Sequence, residues 1–162
     1  LNDIARRAGV GVATAYRHFP TAEALLEAVA TPCLQAIVDY GEQALTAADP
    51  GAAFSQFLSR VIEAQVSDMS LSPVNAALVD QLPHTTELKT RLRTAGSQLL
   101  SRAQESGAVR ADLTEYDLVP LMCGIAYAAT AHPGAPPAEV AQRYLEMLLS
   151  GLQVRTPEQH HP

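Results

Sequence analysis

Residues 1–29 of the chain read LNDIARRAGVGVATAYRHFPTAEALLEAV, and this stretch decides the fold. Ile4, Ala5 and Ala8 recur at helical spacing with polar residues between them, which predicts a short amphipathic helix at its start. Gly9 can adopt the left-handed backbone conformation that ends a helix. The stretch is therefore predicted to begin with one helix and a tight glycine turn.

A second short helix is predicted over residues 12–19. Its outward side carries small and hydrogen-bonding side chains that suit a groove of DNA, namely Ala13, Thr14, Arg17 and His18. Two helices joined by a short turn with glycine form the helix-turn-helix, whose second helix enters the major groove. The pattern therefore predicts a surface that recognises DNA.

A third helix follows, with Thr21 as its predicted N-cap. Its spacing turns Leu25, Leu26 and Val29 inward. The same helix is predicted to continue beyond residue 30, where its apolar face holds Leu34, Ile37 and Val38.

Four motifs of this stretch occur in the same order in a known family of proteins. They are Ile4-Ala5, Ala8-Gly9-Val10, Tyr16-Arg17-His18-Phe19 and Leu25-Leu26. With them the stretch resembles the tetracycline-repressor (TetR) family of bacterial regulators. The resemblance implies a further helix before Leu1, so residues 1–30 are expected to be an incomplete DNA-binding domain.

The resemblance also implies which side chains contact double-stranded operator DNA. Those expected to face bases are Ala13, Thr14 and Arg17. Those expected to touch or lie near phosphates are Asn2, Tyr16 and His18.

Composition limits how DNA can be bound. The 162 residues are 48% hydrophobic and 17% charged, which is typical of a globular chain with a sizeable core. The net charge is −6, and within residues 1–30 three Arg are balanced by one Asp and two Glu. Because affinity for DNA depends on neutralising phosphates, the chain by itself is expected to bind DNA weakly.

Other classes of protein find little support in the sequence. Cys33 and Cys123 have no metal-ligand spacing around them and do not form a disulfide framework, so we expect two free thiols and no bound metal or cofactor. No apolar run approaches the roughly 20 residues of a membrane span. We therefore expect a cytoplasmic protein without a membrane partner.

The rest of the chain alternates helical periods with capped breaks, which predicts an all-α fold. Helix starts are predicted at Asp49-Pro50, Ser72-Pro73, Thr85 or Thr86, and Thr114. The short helix after Ser72 is predicted to bury Val74, Ala77 and Leu78, and Gly107 is expected to end the helix that follows it. Residues 31–152 are thus expected to be a helical regulatory and dimerisation domain, followed by a flexible tail over residues 153–162.

The resemblance to the TetR family also implies that the middle helices enclose a pocket for a small-molecule effector. The apolar candidates for its wall are Phe54, Phe57, Val61, Met69, Leu78, Leu92, Leu99 and Met122, and the polar candidates are Gln65, Asn75 and Gln98. The last two helices would pair with their copies in a homodimer through Leu121, Ala128, Tyr144, Leu148 and Leu152. For each apolar residue the alternative is an ordinary place in the core of the monomer.

An enzyme is not expected, since the sequence has no glycine-rich phosphate loop, nucleophile elbow or paired-histidine metal motif. The sequence favours a dimeric, ligand-responsive repressor that binds a palindromic operator and is released by a small apolar molecule. The alternative is a helical ligand-binding or protein-interaction module whose helix-turn-helix does not touch DNA.

Overall fold

The computed structural model of the chain describes Ala13 and residues 17–153. The described residues form six helices, and Ala13, Arg17 and His18 before Phe19 are also helical. No described residue belongs to a strand. The helices are α1 (Ala22–Ala44), α2 (Pro50–Ser67), α3 (Leu71–Ala76), α4 (Pro83–Glu105), α5 (Glu115–Thr130) and α6 (Pro137–Leu152). The all-helical prediction is confirmed.

Three helices are capped at their N-termini by the residues that the sequence predicted as N-caps. Thr21 Oγ1 accepts a hydrogen bond from the amide of Ala24 at 3.0 Å, and Asp49 Oδ1 accepts one from Ala52 at 3.0 Å. Thr114 and Asp117 form a reciprocal capping box at the start of α5. In this box the hydrogen bonds that Thr114 donates to the Asp117 carboxyl lower the pKa of that carboxyl below its usual value.

Three other boundaries differ from the prediction. Helix α3 begins at Leu71 behind Ser70, ahead of the start predicted at Ser72-Pro73. Helix α3 ends at Ala76, so Ala77 and Leu78 lie beyond it. Helix α4 begins at Pro83, before the threonines predicted to cap it, because proline at a first helical position loses no intrahelical hydrogen bond. At its other end Gly107 has φ +76, the left-handed conformation expected there.

Helix α1 crosses the predicted domain boundary at residue 30 without a break. Leu34, Ile37 and Val38 are buried as predicted, but the inward position predicted for Val29 is wrong, because its side chain is 57% exposed. The buried positions in the first half of the helix are Ala24, Glu27 and Ala30. The residues of α1 that face the core are therefore shifted by about one position from the Leu25-Leu26 motif: Ala24 precedes the motif and Glu27 follows it.

Helix α2 is the centre of the fold, since it packs against each of the other five helices. Phe54, Leu58 and Ile62 on this helix are almost completely buried. Its broad apolar face explains this position, because a helix that contacts neighbours on several sides needs more than a narrow stripe. In the part of the chain that the structure describes, no helix has the length and apolarity needed to cross a bilayer.

Candidate functional site

The predicted recognition helix lies at the start of the described residues. Ala13, Arg17 and His18 are helical and exposed, and α1 begins shortly after them behind its Thr21 cap. The other predicted DNA contacts, Asn2, Thr14 and Tyr16, lie outside the described residues, as does most of the predicted tail. The role of the whole set in DNA binding stays a prediction.

A cavity of about 750 Å³ lies between α2, α4 and α5, with α3 contributing one residue. Its volume is within the range of about 300–1,000 Å³ found for small-molecule sites. Its wall consists of Phe57, Leu58, Val61, Gln65, Asn75, Thr90, Leu92, Arg93, Thr94, Gly96, Ser97, Gln98, Glu115, Tyr116, Leu118, Val119 and Met122.

Part of the predicted pocket lies on this wall. The structure brings together Phe57, Val61, Leu92 and Met122 with all three polar candidates, Gln65, Asn75 and Gln98. Phe54 and Leu99 are instead fully buried core residues that do not line the cavity.

Met69 and Leu78 are wrong predictions. Met69 is 81% exposed and Leu78 is 100% exposed, and neither borders the cavity. The physical reason is where the helices end: Met69 lies two residues beyond the end of α2, and Leu78 lies two residues beyond the end of α3. Helical spacing predicts an inward position only as long as the helix continues.

Burial and polarity change together across the cavity wall. Phe57, Leu58 and Met122 are buried, whereas the two charged residues of the wall, Arg93 and Glu115, are exposed. The cavity thus combines a buried apolar floor with a charged and polar rim. The rim was missed from the sequence, because an exposed polar residue on a helix gives no sign of the cavity beside it.

Two amide side chains interrupt the buried part of the wall. Gln65 and Asn75 are both buried, and Gln65 Nε2 donates to Cys123 Sγ at 3.8 Å. Burial raises the pKa of the Cys123 thiol, and the bond from Gln65 lowers it by less. The thiol therefore stays protonated at neutral pH.

The ring of Phe57 connects the cavity to α1. A Cβ placed on Gly41 of α1 would lie 2.8 Å from Phe57 Cε2, closer than carbon atoms in proteins approach one another. A Cβ on Gly96 of α4 would lie 3.4 Å from Phe57 Cε1. The ring lies between two glycines, and it lines the cavity while touching the backbone of the helix that follows the recognition segment.

A second connection runs through residues 77–82, which we call the connecting segment. Glu27 of α1 accepts hydrogen bonds from the backbone amides of Gln81 at 2.7 Å and Leu82 at 2.8 Å. Lys89 of α4 donates to Asp80 Oδ1 at 2.7 Å and to the carbonyl of Ala77 at 2.8 Å. The connecting segment is therefore held from both sides.

Lys89 also donates to the carbonyl of Val74 at 3.1 Å, next to the cavity residue Asn75 on α3. A chain of polar contacts thus reaches from one end of the cavity to Glu27 on α1. Sequence reasoning missed both charged residues, since a lone charge on a helix is most often solvated.

Helices α5 and α6 carry an apolar surface that residues 17–153 leave uncovered. Of the predicted dimer residues, Leu121, Tyr144 and Leu148 are half-buried and Ala128 is exposed, whereas Leu152 is buried within the chain. Tyr127 and Met147 were missed, although they are 76% and 62% exposed. A signal existed for Tyr127, because no charged residue occurs from Leu118 to Thr130, so this part of α5 has no charged side chain to face water.

Two family models match this chain, one at its N-terminal end and one over its C-terminal helices. A family model described as bacterial regulatory proteins of the tetR family matches residues 1–29. A second, described as the C-terminal domain of SbtR-like transcriptional regulators, matches residues 49–154. No curated protein is similar enough to count as a match.

Solved structures are similar over almost the whole chain. A TetR regulator from Streptomyces coelicolor is 29% identical with a TM-score of 0.61, over 94% of this chain and 86% of that one. One from Mycobacterium vanbaalenii is 31% identical with a TM-score of 0.56, over 94% and 81%. The regulator PfmR from Thermus thermophilus, 22% identical with a TM-score of 0.65 over 94% and 88%, supports the fold alone. The chain belongs to the TetR family of bacterial transcriptional regulators, which act by binding DNA.

Proposed function

We propose that the protein is a ligand-responsive dimeric repressor of the bacterial cytoplasm. Residues 1–30 read the operator, and residues 31–152 bind a small apolar molecule and a second copy of the chain. The recognition helices of the dimer contact the two half-sites of a roughly palindromic operator, about one turn of DNA apart. Family membership supports the binding of DNA, and the cavity supports the response to a ligand.

The observation that carries the proposal is the position of the Phe57 ring. It borders the cavity and touches Gly41 of α1 too closely to admit a methyl group. A ligand that displaces the ring therefore pushes on α1 or requires α1 to move. Since α1 begins directly behind the recognition segment, its movement changes the spacing of the two recognition helices in the dimer.

A ligand shifts such an equilibrium only if it binds one conformation better than the other. We propose that the cavity accepts the effector fully only when α1 has moved away from the DNA-binding position. Occupation of the cavity then favours a spacing that does not fit both half-sites, and the operator is released.

Replacing Arg17 with Ala is expected to weaken binding to the operator by about 1–3 kcal/mol and to relax specificity at the base it reads. The same relaxation is expected for Thr14→Ala. Tyr16→Phe removes a proposed phosphate contact, so it should weaken binding to all sequences alike. The measurement is selection of genomic DNA fragments by the protein, followed by titration of the selected site and of random duplex.

The salt dependence of both titrations completes that experiment, because phosphate contacts set the slope of affinity against salt. A protein that prefers no fragment above random duplex at moderate salt contradicts the repressor function. That result would favour a helical ligand-binding module instead.

Replacing Met147 with Lys is expected to raise the dissociation constant of the dimer at least about tenfold, because it puts an unpaired charge into an apolar interface. Analytical ultracentrifugation over a dilution series measures the change. Met69→Lys is the matched control, since Met69 is also an exposed methionine but belongs to neither α5 nor α6. Equal dissociation constants for both variants would exclude this surface as the dimer interface.

A further inference from the structure

One side-chain atom of Gln65, its Oε1, has no hydrogen-bond partner among the residues that the structure describes. Its side chain is 4% exposed and lines the cavity, and its Nε2 has the thiol of Cys123 as a partner. Its Oε1 is enclosed and accepts no hydrogen bond from any residue that the structure describes. Buried amide oxygens in folded proteins almost always have a donor, so this atom calls for an explanation.

The position of Gln65 indicates where a donor would come from. The residue is on α2, which also supplies Phe57, Leu58 and Val61 to the floor of the cavity. The terminal torsion of a glutamine is broad, so the amide can rotate to present Oε1 to a molecule in the cavity at little cost. A ligand donor would satisfy the atom that the empty protein leaves without a partner.

The charges around the cavity limit what that donor can be. Among the residues that the structure describes, the wall has two charged members, Arg93 and Glu115, and both are exposed at the rim. A charged group placed beside Gln65 would lose its hydration without an opposite charge nearby, which is strongly unfavourable. The head group that reaches Gln65 is therefore neutral.

Asn75 adds a second buried amide to the same wall. An amide side chain can both donate and accept, so a head group that also does both can use the two residues together. A hydroxyl or an N–H-bearing amide has this property, whereas an ether or a ketone only accepts.

We infer that the effector is an uncharged molecule with an apolar body and a hydroxyl or N–H donor, and that this donor bonds to Gln65 Oε1. The inference rests on the proposed function, because it assigns the chemistry of the same cavity. The apolar body fills the floor formed by α2, α4 and α5, and the donor group selects among molecules of similar size.

Matched pairs of probes test the inference by isothermal titration calorimetry with the full chain. The pairs are 1-octanol with octyl methyl ether and 4-phenylphenol with 4-methoxybiphenyl, in which a methyl group replaces the donor hydrogen. Each alcohol or phenol is expected to bind about tenfold tighter than its ether, because the ether leaves the buried oxygen unpaired. Octanoate, with the charge in place of the donor, is expected to bind more weakly than 1-octanol.

Variants then assign the preference to one atom. In Gln65→Leu the alcohol and the ether should bind within about twofold of one another, since the acceptor assigned to the donor group is gone. Gln65→Met, which keeps nearly the same length, serves as the second variant. Gln56→Leu is the control, because Gln56 is an exposed glutamine on the same helix and lies off the cavity wall.

Each outcome bears on a separate statement. Equal binding of alcohol and ether to the natural protein, a preference that survives in both Gln65 variants, or octanoate binding as tightly as 1-octanol overturns the inference. Binding of none of the probes contradicts the cavity as a ligand site, which is a failure of the proposed function.

Discussion

Replacing Lys89 with Met is expected to lower the free energy of unfolding by about 3–5 kcal/mol. Lys89 is the only lysine of the chain, and it is 4% exposed. Its three donors go to Asp80 and to the carbonyls of Val74 and Ala77. Methionine fills similar space but leaves Asp80 as a buried charge without its partner.

Urea unfolding of the variant measures the loss. Arg60→Met is the control, because the ion pair of Arg60 with Glu63 is exposed on both sides and contributes less than about 1 kcal/mol. In the double variant Lys89→Met with Asp80→Asn, the two losses should be far from additive, since the second change removes the uncompensated charge. Additive losses, or a Lys89 variant as stable as the control, would contradict the buried ion pair.

Replacing Glu27 with Ala is expected to destabilise the protein by roughly 2–4 kcal/mol. The side chain of Glu27 is buried and accepts from two consecutive backbone amides of the connecting segment, those of Gln81 and Leu82. Hydrogen bonds to a charged group are among the stronger ones, and both amides lose their partner at once. The variant therefore detaches the connecting segment from α1.

Hydrogen exchange gives a measurement that is specific to this contact. The amides of Gln81 and Leu82 should exchange faster in the Glu27→Ala variant, while amides in the middle of α2 change only with the global stability. Glu23→Ala is the matched control, because Glu23 is exposed in the first turn of the same helix and contributes less than about 1 kcal/mol there. Unchanged exchange at both amides would show that Glu27 does not hold the segment.

If α1 transmits the state of the cavity to DNA, the two connections differ in kind. Phe57 and Gly41 are in van der Waals contact, which responds to the shape of a ligand. Glu27 and the connecting segment are joined by hydrogen bonds, which fix the position of α1 against the start of α4. The first contact can act as the moving part and the second as a hinge point.

Local features of the fold followed from the sequence. Thr21, Asp49 and Thr114 were predicted as N-caps and act as such, because a cap depends on the residues within one turn of it. The apolar face of α1 with Leu34, Ile37 and Val38 was predicted for a similar reason, since spacing along one helix fixes which residues share a face. The helical pattern of residues 12–19 placed Ala13, Thr14, Arg17 and His18 on an outward face, and the family motifs added Asn2 and Tyr16 to the proposed DNA contacts.

The candidate site could be predicted only in part. Four of the eight apolar pocket residues line the cavity, and the others fail for two reasons. Phe54 and Leu99 are on the right helices but face other core residues, since periodicity does not distinguish a packed face from a cavity wall. Met69 and Leu78 lie past helix ends that the sequence did not locate.

The sequence by itself therefore determined the all-helical class, three of the helix N-caps and the family, because these depend on neighbours along the chain. Only the tertiary structure decided that Lys89 and Glu27 are buried and paired, since their partners lie 9 to 55 positions away in sequence. The tertiary structure also decided that Phe57 lies between two glycines and that Gln65 Oε1 has no hydrogen-bond partner among the described residues. Contacts between distant segments arise from packing, and no local pattern in residues 1–29 or beyond contains them.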